Sequence, residues 1–384
     1  MTVNAKTSPA STPTVERIRA ALDTVHDPEI KKPITELGMV KDITISADGR
    51  VTVTLYLTVA GCPLKQTLTT DTTAAVSAVE GVREVHVELD VMNDAQRTAL
   101  RRRLRGDHDE PVIPFAQPGS LTKVYCVASG KGGVGKSSVT VNLAVALAAR
   151  GLSVGVLDAD IHGHSVPRML GVTGAPVQIE KMIMPPEAHG IKVISVGMFT
   201  EGNAPVIWRG PMLHRALNQF LADVFWGELD ILLLDLPPGT GDVAISLAQL
   251  IPTAEIIVVT TPQPAAAEVA ERAGTIAAQT RQTVVGVIEN MSWMTLPDGT
   301  RDEVFGAGGG RMVADTLSRQ LGVPVPLLGQ IPMDRRLREG GDSGQPLVLD
   351  DPANPAAAAL IAIAEQLGTR PRGLAGRLLA VSPK

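Results

Sequence analysis

The stretch Val124-Tyr-Cys-Val-Ala-Ser-Gly130-Lys131-Gly132-Gly133-Val134-Gly135-Lys136-Ser137-Ser138 runs directly into the apolar-periodic segment Val139 to Ala149. It reads as strand, glycine loop and helix. Gly130 to Ser137 satisfies G-x-x-x-x-G-K-[ST], a pattern in which backbone N–H groups of a glycine-rich turn cradle phosphates, the lysine reaches the terminal phosphates and the hydroxyl ligates Mg2+. The helix start beneath it adds a favourable dipole. A plain glycine turn between strand and helix would satisfy the same pattern, but the strand before and the helix after are the context that a phosphate cradle requires. Phosphate binding is therefore assigned to Gly130, Lys131, Gly132, Gly133, Val134, Gly135, Lys136, Ser137 and Ser138, with Lys136 catalytic and Ser137 on the metal. A second lysine, Lys131, follows the first glycine directly. One loop then carries two cations.

From Val124 onward, strand and helix patterns alternate as a parallel α/β fold requires. Strands are expected at 124–129, 153–158, 191–196, 230–235, 255–260, 284–289 and 327–331. Continuous apolar runs such as Ile231-Leu-Leu-Leu234 suit a sheet covered on both faces, so the chemistry should gather at the strands' C-terminal ends. Asp158-Ala-Asp160 ends one strand and Asp235-Leu-Pro-Pro-Gly239-Thr-Gly241-Asp242 ends another. An acid after four apolar strand residues occupies the position that holds Mg2+ in nucleoside triphosphatases, so Asp235 joins Ser137 as a candidate Mg2+ residue. Asp158 has a simpler reading, as a strand-end carboxylate capping the next turn.

At 384 residues the chain has room for two or three domains. Residues 1–13 are Ser/Thr/Pro-rich and expected to be disordered. Residues 14–105 read as a small α/β domain: a helix from Val15 to Val25 closed by Asp27-Pro28, a hairpin about Ala47-Asp48-Gly49, a helix from Leu64 to Val79 and a strand from Val82 to Leu89. A Pro/Gly-rich linker over 106–120 separates it from the domain at 121–368, and 369–384 forms a tail. Arg97, Arg101, Arg102, Arg103 and Arg105 form a basic cluster before the linker, read as a solvated helix end or as a contact for nucleic acid or an anionic membrane. A net charge of -5 gives no general reason to expect a nucleic-acid partner. The chain has two cysteines, Cys62 and Cys126, no signal-like stretch before the first helix and no apolar run near the ~18 residues of a membrane span, so a reducing cytoplasm is the expected setting. Cys62 would sit near a helix N-terminus, where a thiolate is favoured, or else act as a small buried apolar residue.

The double-lysine loop G-K-G-G-V-G-K-S-S resembles the deviant Walker A motif of the P-loop ATPases that include MinD, ParA, the nitrogenase iron protein and the Mrp/ApbC proteins. That resemblance implies a homodimer in which Lys131 reaches the nucleotide of the other subunit, and makes Lys131 a catalytic candidate. It places Asp160 in a switch I segment that positions the attacking water or accepts its proton, and Gly239 in a switch II loop whose amides approach the γ-phosphate. Gly286-Val-Ile-Glu-Asn290-Met291-Ser292 resembles the family's adenine-reading segment, and Asn290 offers the donor–acceptor pair of an adenine edge. Pro332, in Ile331-Pro332-Met333-Asp334, falls where the family's backbone packs around the base. The small domain resembles the PaaD-like iron-sulfur assembly domain through His26-Asp27-Pro28-Glu29-Ile30, Leu37-Gly38 and Thr58-Val-Ala-Gly-Cys62-Pro63.

Phe305-Gly-Ala-Gly-Gly-Gly310 and Gly340-Gly341-Asp-Ser-Gly344 also follow the Mrp pattern, as does Trp208-Arg209-Gly210-Pro211, whose arginine could reach phosphate or cap the next helix. His162 and His164 supply two ligands where a zinc site wants three or four, so they read as loop variation. One departure stands out. Cluster-carrying members have Cys-x-x-Cys after the adenine segment, but here Trp293 to Val304 contains no cysteine, which leaves Cys62 as a weak cluster ligand. The resemblance thus implies a doubly wound, mainly parallel α/β P-loop NTPase with a small N-terminal α/β domain. It would use ATP and Mg2+, form a homodimer and serve apo iron-sulfur proteins or assembly proteins. A MinD/ParA-like positioning switch and an ATP-holding dimeric scaffold are the alternatives.

Overall fold

The structure is a computed structural model that describes residues 13–28, 30–58, 65–105, 112–160, 163–179, 181–199, 210–239, 241–263 and 266–369. The chain divides into two compact units, one comprising residues up to Glu110 together with Gln178–Met184, the other Pro111–Val177 and Pro185 onward. The first contains α1 (Val15–Leu22), β1 (Val40–Ile45), β2 (Arg50–Leu57), α2 (Lys65–Ser77), β3 (Glu84–Val91) and α3 (Asp94–Arg105). Thr14 caps α1 by accepting the Arg17 N–H. The helix stops at Leu22, earlier than the Asp27-Pro28 boundary expected from sequence: the chain tightens into three-residue turns there, with the Thr24 hydroxyl donating to the Ala21 carbonyl at 2.7 Å, and Asp27 organises a separate turn in which its Oδ1 accepts the Ile30 N–H at 2.9 Å.

β1 and β2 form the expected antiparallel hairpin, with Gly49 at φ +83°, and β3 lies parallel to β2. Alternate residues Val51, Val53, Leu55 and Leu57 of β2 are buried, as a one-sided sheet requires. The basic cluster lies on α3 and is partly used internally. Arg97 donates to the Met92 carbonyl and pairs with Asp94, and Arg103 donates to the Glu36 carbonyl.

The second unit begins with β4 (Lys123–Ala128), α4 (Lys136–Ala148), β5 (Val154–Asp158) and α5 (Val166–Met169). A short hairpin, β6 (Val177–Ile179) with β7 (Met182–Met184), groups mostly with the first unit. The chain continues through β8 (Glu187–Ala188), β9 (Ile191–Ser195), α6 (Gly210–Ala222), β10 (Ile231–Asp235), α7 (Asp242–Leu250), β11 (Glu255–Thr260) and α8 (Ala266–Thr280). It ends with β12 (Val284–Thr295), β13 (Arg301–Asp302), α9 (Gly309–Leu321), β14 (Leu327–Met333), α10 (Arg335–Ser343), α11 (Leu347–Asp350) and α12 (Pro355–Gly368). The sheet order is β13-β12-β11-β4-β10-β5-β9-β8, with β14 also on β12. β8 and β13 pair antiparallel, while the strands expected from sequence pair in parallel.

Every residue of β5 and β10 is buried, which explains their unbroken apolar runs. α4 is buried from Val139 to Leu147 because α12 and α11 cover the side that the sheet does not. β12 runs on to Thr295, past the end expected near Asn290. Its extension is held by β13 and by β14, with Met291 at φ +58° marking the irregularity.

Candidate functional site

The C-terminal ends of β4, β5, β10, β11, β12 and β14 meet at one edge of the sheet. There the loop from Ser129 to Gly135 turns through two left-handed glycines, Gly133 and Gly135, both at φ +78°. A side chain at Gly135 would place its Cβ 2.3 Å from Asn290 Nδ2, so the close approach requires glycine. Gly135 then serves as the N-cap of α4, leaving Lys136 as the first helical residue.

Lys136 is 6% exposed. Its Nζ lies 2.8 Å from Asp235 Oδ2 but off hydrogen-bond geometry, so the charge is paired while its N–H groups have no acceptor among the described residues. Asp235, wholly buried, accepts the Ser137 hydroxyl on Oδ2 at 2.6 Å and the Thr140 hydroxyl on Oδ1 at 2.8 Å. Thr140 was not singled out from sequence. Its signal was the spacing, one helical turn after Lys136 on the same face.

Asp158 sits opposite Asp235 in the β5–β10 register. Its partners are different: Oδ1 accepts the Asp160 N–H, and Oδ2 accepts the Val166 N–H and the Ser195 hydroxyl, at 3.1, 3.3 and 3.1 Å. This is the capping role read from sequence, since Val166 opens α5. Burial, aided by the neighbouring Asp235 charge, pushes the Asp158 carboxyl up to about 7. Asp160 is 8% exposed and accepts the Gly163 N–H at 3.1 Å. In the loop after β10, the Gly239 N–H donates to the Ser129 carbonyl at 2.8 Å, which ties that loop to the glycine loop. Thr240 lies outside the described residues.

Lys131 is half-buried and its Nζ donates to Gln263 Oε1 in the loop after β11. Sequence reasoning missed Gln263, which carries no motif signal. Asn290, 3% exposed, donates from Nδ2 to the Val134 carbonyl at 2.9 Å and so braces the loop as well as standing beside it. The adjacent Glu289 accepts the Gly310 N–H and the Gln330 amide, at 2.6 and 2.7 Å, which fixes the start of α9. Pro332 is buried at the end of β14 on the same edge.

Cys126 is buried within β4, and burial pushes its thiol up to about 12. Cys62, His162, Trp208 and Arg209 lie outside the described residues. Among the described residues no group of three or more His, Cys, Asp or Glu side chains could hold a metal ion, and no helix is long and apolar enough to cross a membrane. The segment without cysteine spans the end of β12, the turn and β13, and across that hairpin the Arg301 guanidinium stacks 3.9 Å from the Trp293 ring centre.

A glycine cradle and a buried ammonium lacking hydrogen-bond acceptors, next to an acid with two hydroxyls, fit a phosphate chain with its divalent cation. The comparisons with known proteins agree. A family model described as the NUBPL iron-transfer P-loop NTPase (ParA) matches residues 120–368, and one described as an iron-sulfur cluster assembly protein matches residues 15–89. The iron-sulfur cluster carrier protein of Mycobacterium bovis is 67% identical over 366 residues, covering 95% of this chain and 96% of the relative. That of Synechocystis is 41% identical, covering 92% and 97%. Among solved structures, a nucleotide-binding protein from Archaeoglobus fulgidus in complex with ADP is 36% identical, covering 59% of this chain and 88% of that one, with a TM-score of 0.50. The chain therefore belongs to the iron-transfer P-loop NTPases, the family it shares with these iron-sulfur cluster carrier proteins.

Proposed function

We propose that this protein is a cytoplasmic, homodimeric, Mg-dependent ATPase that serves the transfer of iron-sulfur clusters to apoproteins. The observation that carries the reading is Lys136, whose buried ammonium has a counter-charge but no hydrogen-bond acceptor. A buried donor in that condition costs free energy unless a ligand completes it, and phosphate oxygens supply what it lacks. The amides of Gly132 to Ser138 would bind the phosphates, and the Ser137 hydroxyl and Asp235 would hold Mg2+. Bound there, Mg2+ would neutralise charge developing on the phosphoryl oxygens. Asp160, held by the Gly163 amide, would orient the attacking water. Gly239 would bring the switch II backbone to the terminal phosphate, while Asn290 and Pro332 would bound the base.

Lys131 would leave Gln263 and act on the nucleotide of the second subunit, as an arginine finger does. The cluster is cargo in this reading. Cys126 cannot ligate it from within the sheet, so the chain's remaining thiol is Cys62, and further ligands would come from the recipient or an assembly partner.

Phosphate release by purified protein tests the proposal. Lys136→Ala should lower Mg-dependent turnover on the order of a hundredfold or more. Unchanged release would remove the hydrolase reading and leave an ATP-holding scaffold. Anaerobic reconstitution with iron and sulfide tests the cargo. The isolated chain should hold no stable stoichiometric cluster, and weak loading should vanish in Cys62→Ser. Full occupancy in that variant would mean that non-cysteine groups ligate iron here.

A further inference from the structure

The glycine pattern Gly340-Gly341-Asp342-Ser343-Gly344 is packed against α5, the short helix that follows β5 and the Asp158–Asp160 stretch. Gly344 ends α10 in the left-handed conformation, at φ +72°, and Gly171 follows α5 at φ +65°. The two backbones touch. A Cβ on Gly344 would lie 2.5 Å from Gly171 Cα, and one on Gly171 would lie 2.9 Å from the Gly344 carbonyl oxygen. Met169 of α5 packs on Gly341, with its Cγ at ordinary contact distance from a Cβ there. Arg168 reaches Asp342 at 3.5 Å, too exposed a pair to hold the seat by itself.

α5 is four residues long. A single turn does not sustain itself, because helix nucleation is unfavourable, so its order comes from what clamps its ends. The front clamp is Asp158, which accepts the Val166 N–H. The rear clamp is the glycine turn of α10. α10 in turn starts directly after β14, where Asp334 accepts the Arg336 N–H at 2.7 Å and the Asn354 amide at 2.7 Å. The path from Pro332 through α10 to α5 and Asp158 is continuous within one unit.

We infer that the turn Gly340–Gly344 is a positioning element for switch I: it seats α5 and thereby links the base side of the site, at the end of β14, to the Asp158–Asp160 loop on the hydrolytic side. This inference rests on the nucleotide-binding reading. It assigns Gly344 and Gly171 to a backbone-to-backbone contact that no residue with a side chain fits, and it makes the seat part of the mechanism without contact to substrate.

Hydrogen exchange on the full chain, with and without Mg2+ and a non-hydrolysable ATP analogue, reads the coupling directly. In the wild type, amides of 130–138, 163–172 and 336–346 should all gain protection. Gly344→Ala should bind the analogue within about threefold of wild type but lose protection at 163–172. Its kcat should fall on the order of ten- to a hundredfold with KM little changed, the pattern of a displaced catalytic group. Met169→Ala, which loosens the same seat without straining a left-handed position, should shift exchange and kcat in the same direction by a smaller factor and keeps the test open if Gly344→Ala fails to fold. Protection at 130–138 with none at 336–346 in the wild type would overturn the coupling, as would wild-type kcat in Met169→Ala together with unchanged exchange. No protection at 130–138 would instead remove the nucleotide-binding reading itself, and the coupling with it.

Discussion

β5 and β10 are neighbours that end in the same residue at paired positions, both wholly buried, yet their carboxylates have opposite company. Asp158 is ringed by two backbone amides and a serine hydroxyl of its own scaffold, whereas Asp235 is ringed by a lysine ammonium and two hydroxyls that open toward the glycine loop. Strand-end position gives a carboxylate access to this edge. Its partners decide whether it builds the site or works in it.

The sharpest way to break that contrast is to neutralise Asp235. Asp235→Asn removes the counter-charge of Lys136 and the proposed Mg2+ residue at once. Mg-dependent turnover should fall on the order of 10^2- to 10^3-fold. Leaving a buried ammonium without its partner costs about 3–5 kcal/mol, offset in part by relief of repulsion with Asp158. Phosphate release and thermal melting check both effects, and turnover within a few-fold of wild type would remove Asp235 from the metal site.

Asp158→Asn should behave differently. Its partners are the Asp160 and Val166 amides and the Ser195 hydroxyl, so its effect on turnover is indirect, through the backbone that carries Asp160, and should be about tenfold at most. Stability carries the cleaner signature. The carboxyl titrates near 7 in the fold against an ordinary value of 3.8, so between those values the folded chain keeps a proton that the unfolded chain has lost. Its contribution therefore declines as pH rises from about 4 to about 7, by a few kcal/mol at most, and asparagine abolishes that decline. The melting temperature of Asp158→Asn relative to wild type should rise between pH 5 and pH 8. A difference that does not move with pH would contradict the buried, proton-holding Asp158.

The same contrast shows what could be read from sequence. The parallel strands were legible because burial on both faces writes them as continuous apolar runs, and the glycine loop because its φ angles and its lysine allow few alternatives. The strand-end acids were legible as positions, and Asp158 even as a cap. What escaped depends on partners far away in the chain. Gln263 meets Lys131 across 132 positions, and β12 continues past Met291 because β13 and β14 hold it. Such contacts leave no local period or turn signal behind.

The smallest expected effect tests how finely the partner set matters. Thr140→Val keeps the shape of a fully buried side chain and removes only the hydroxyl that donates to Asp235 Oδ1 and the Lys136 carbonyl. Ser137 and Lys136 still hold Oδ2, so the carboxylate keeps its place while one oxygen loses a donor. Losing a hydrogen bond to a charged group costs about 1.5–3 kcal/mol, which for a unit of this size lowers the melting temperature by several degrees. Turnover should fall by about two- to fivefold, and the Mg2+ concentration for half-maximal activity should rise, because Oδ1 loses the donor that fixes the tilt of the carboxylate. A loss as large as that of Asp235→Asn would show that Thr140 itself belongs to the metal site. An unchanged Mg2+ requirement alongside the stability loss would confine it to holding α4 against β10.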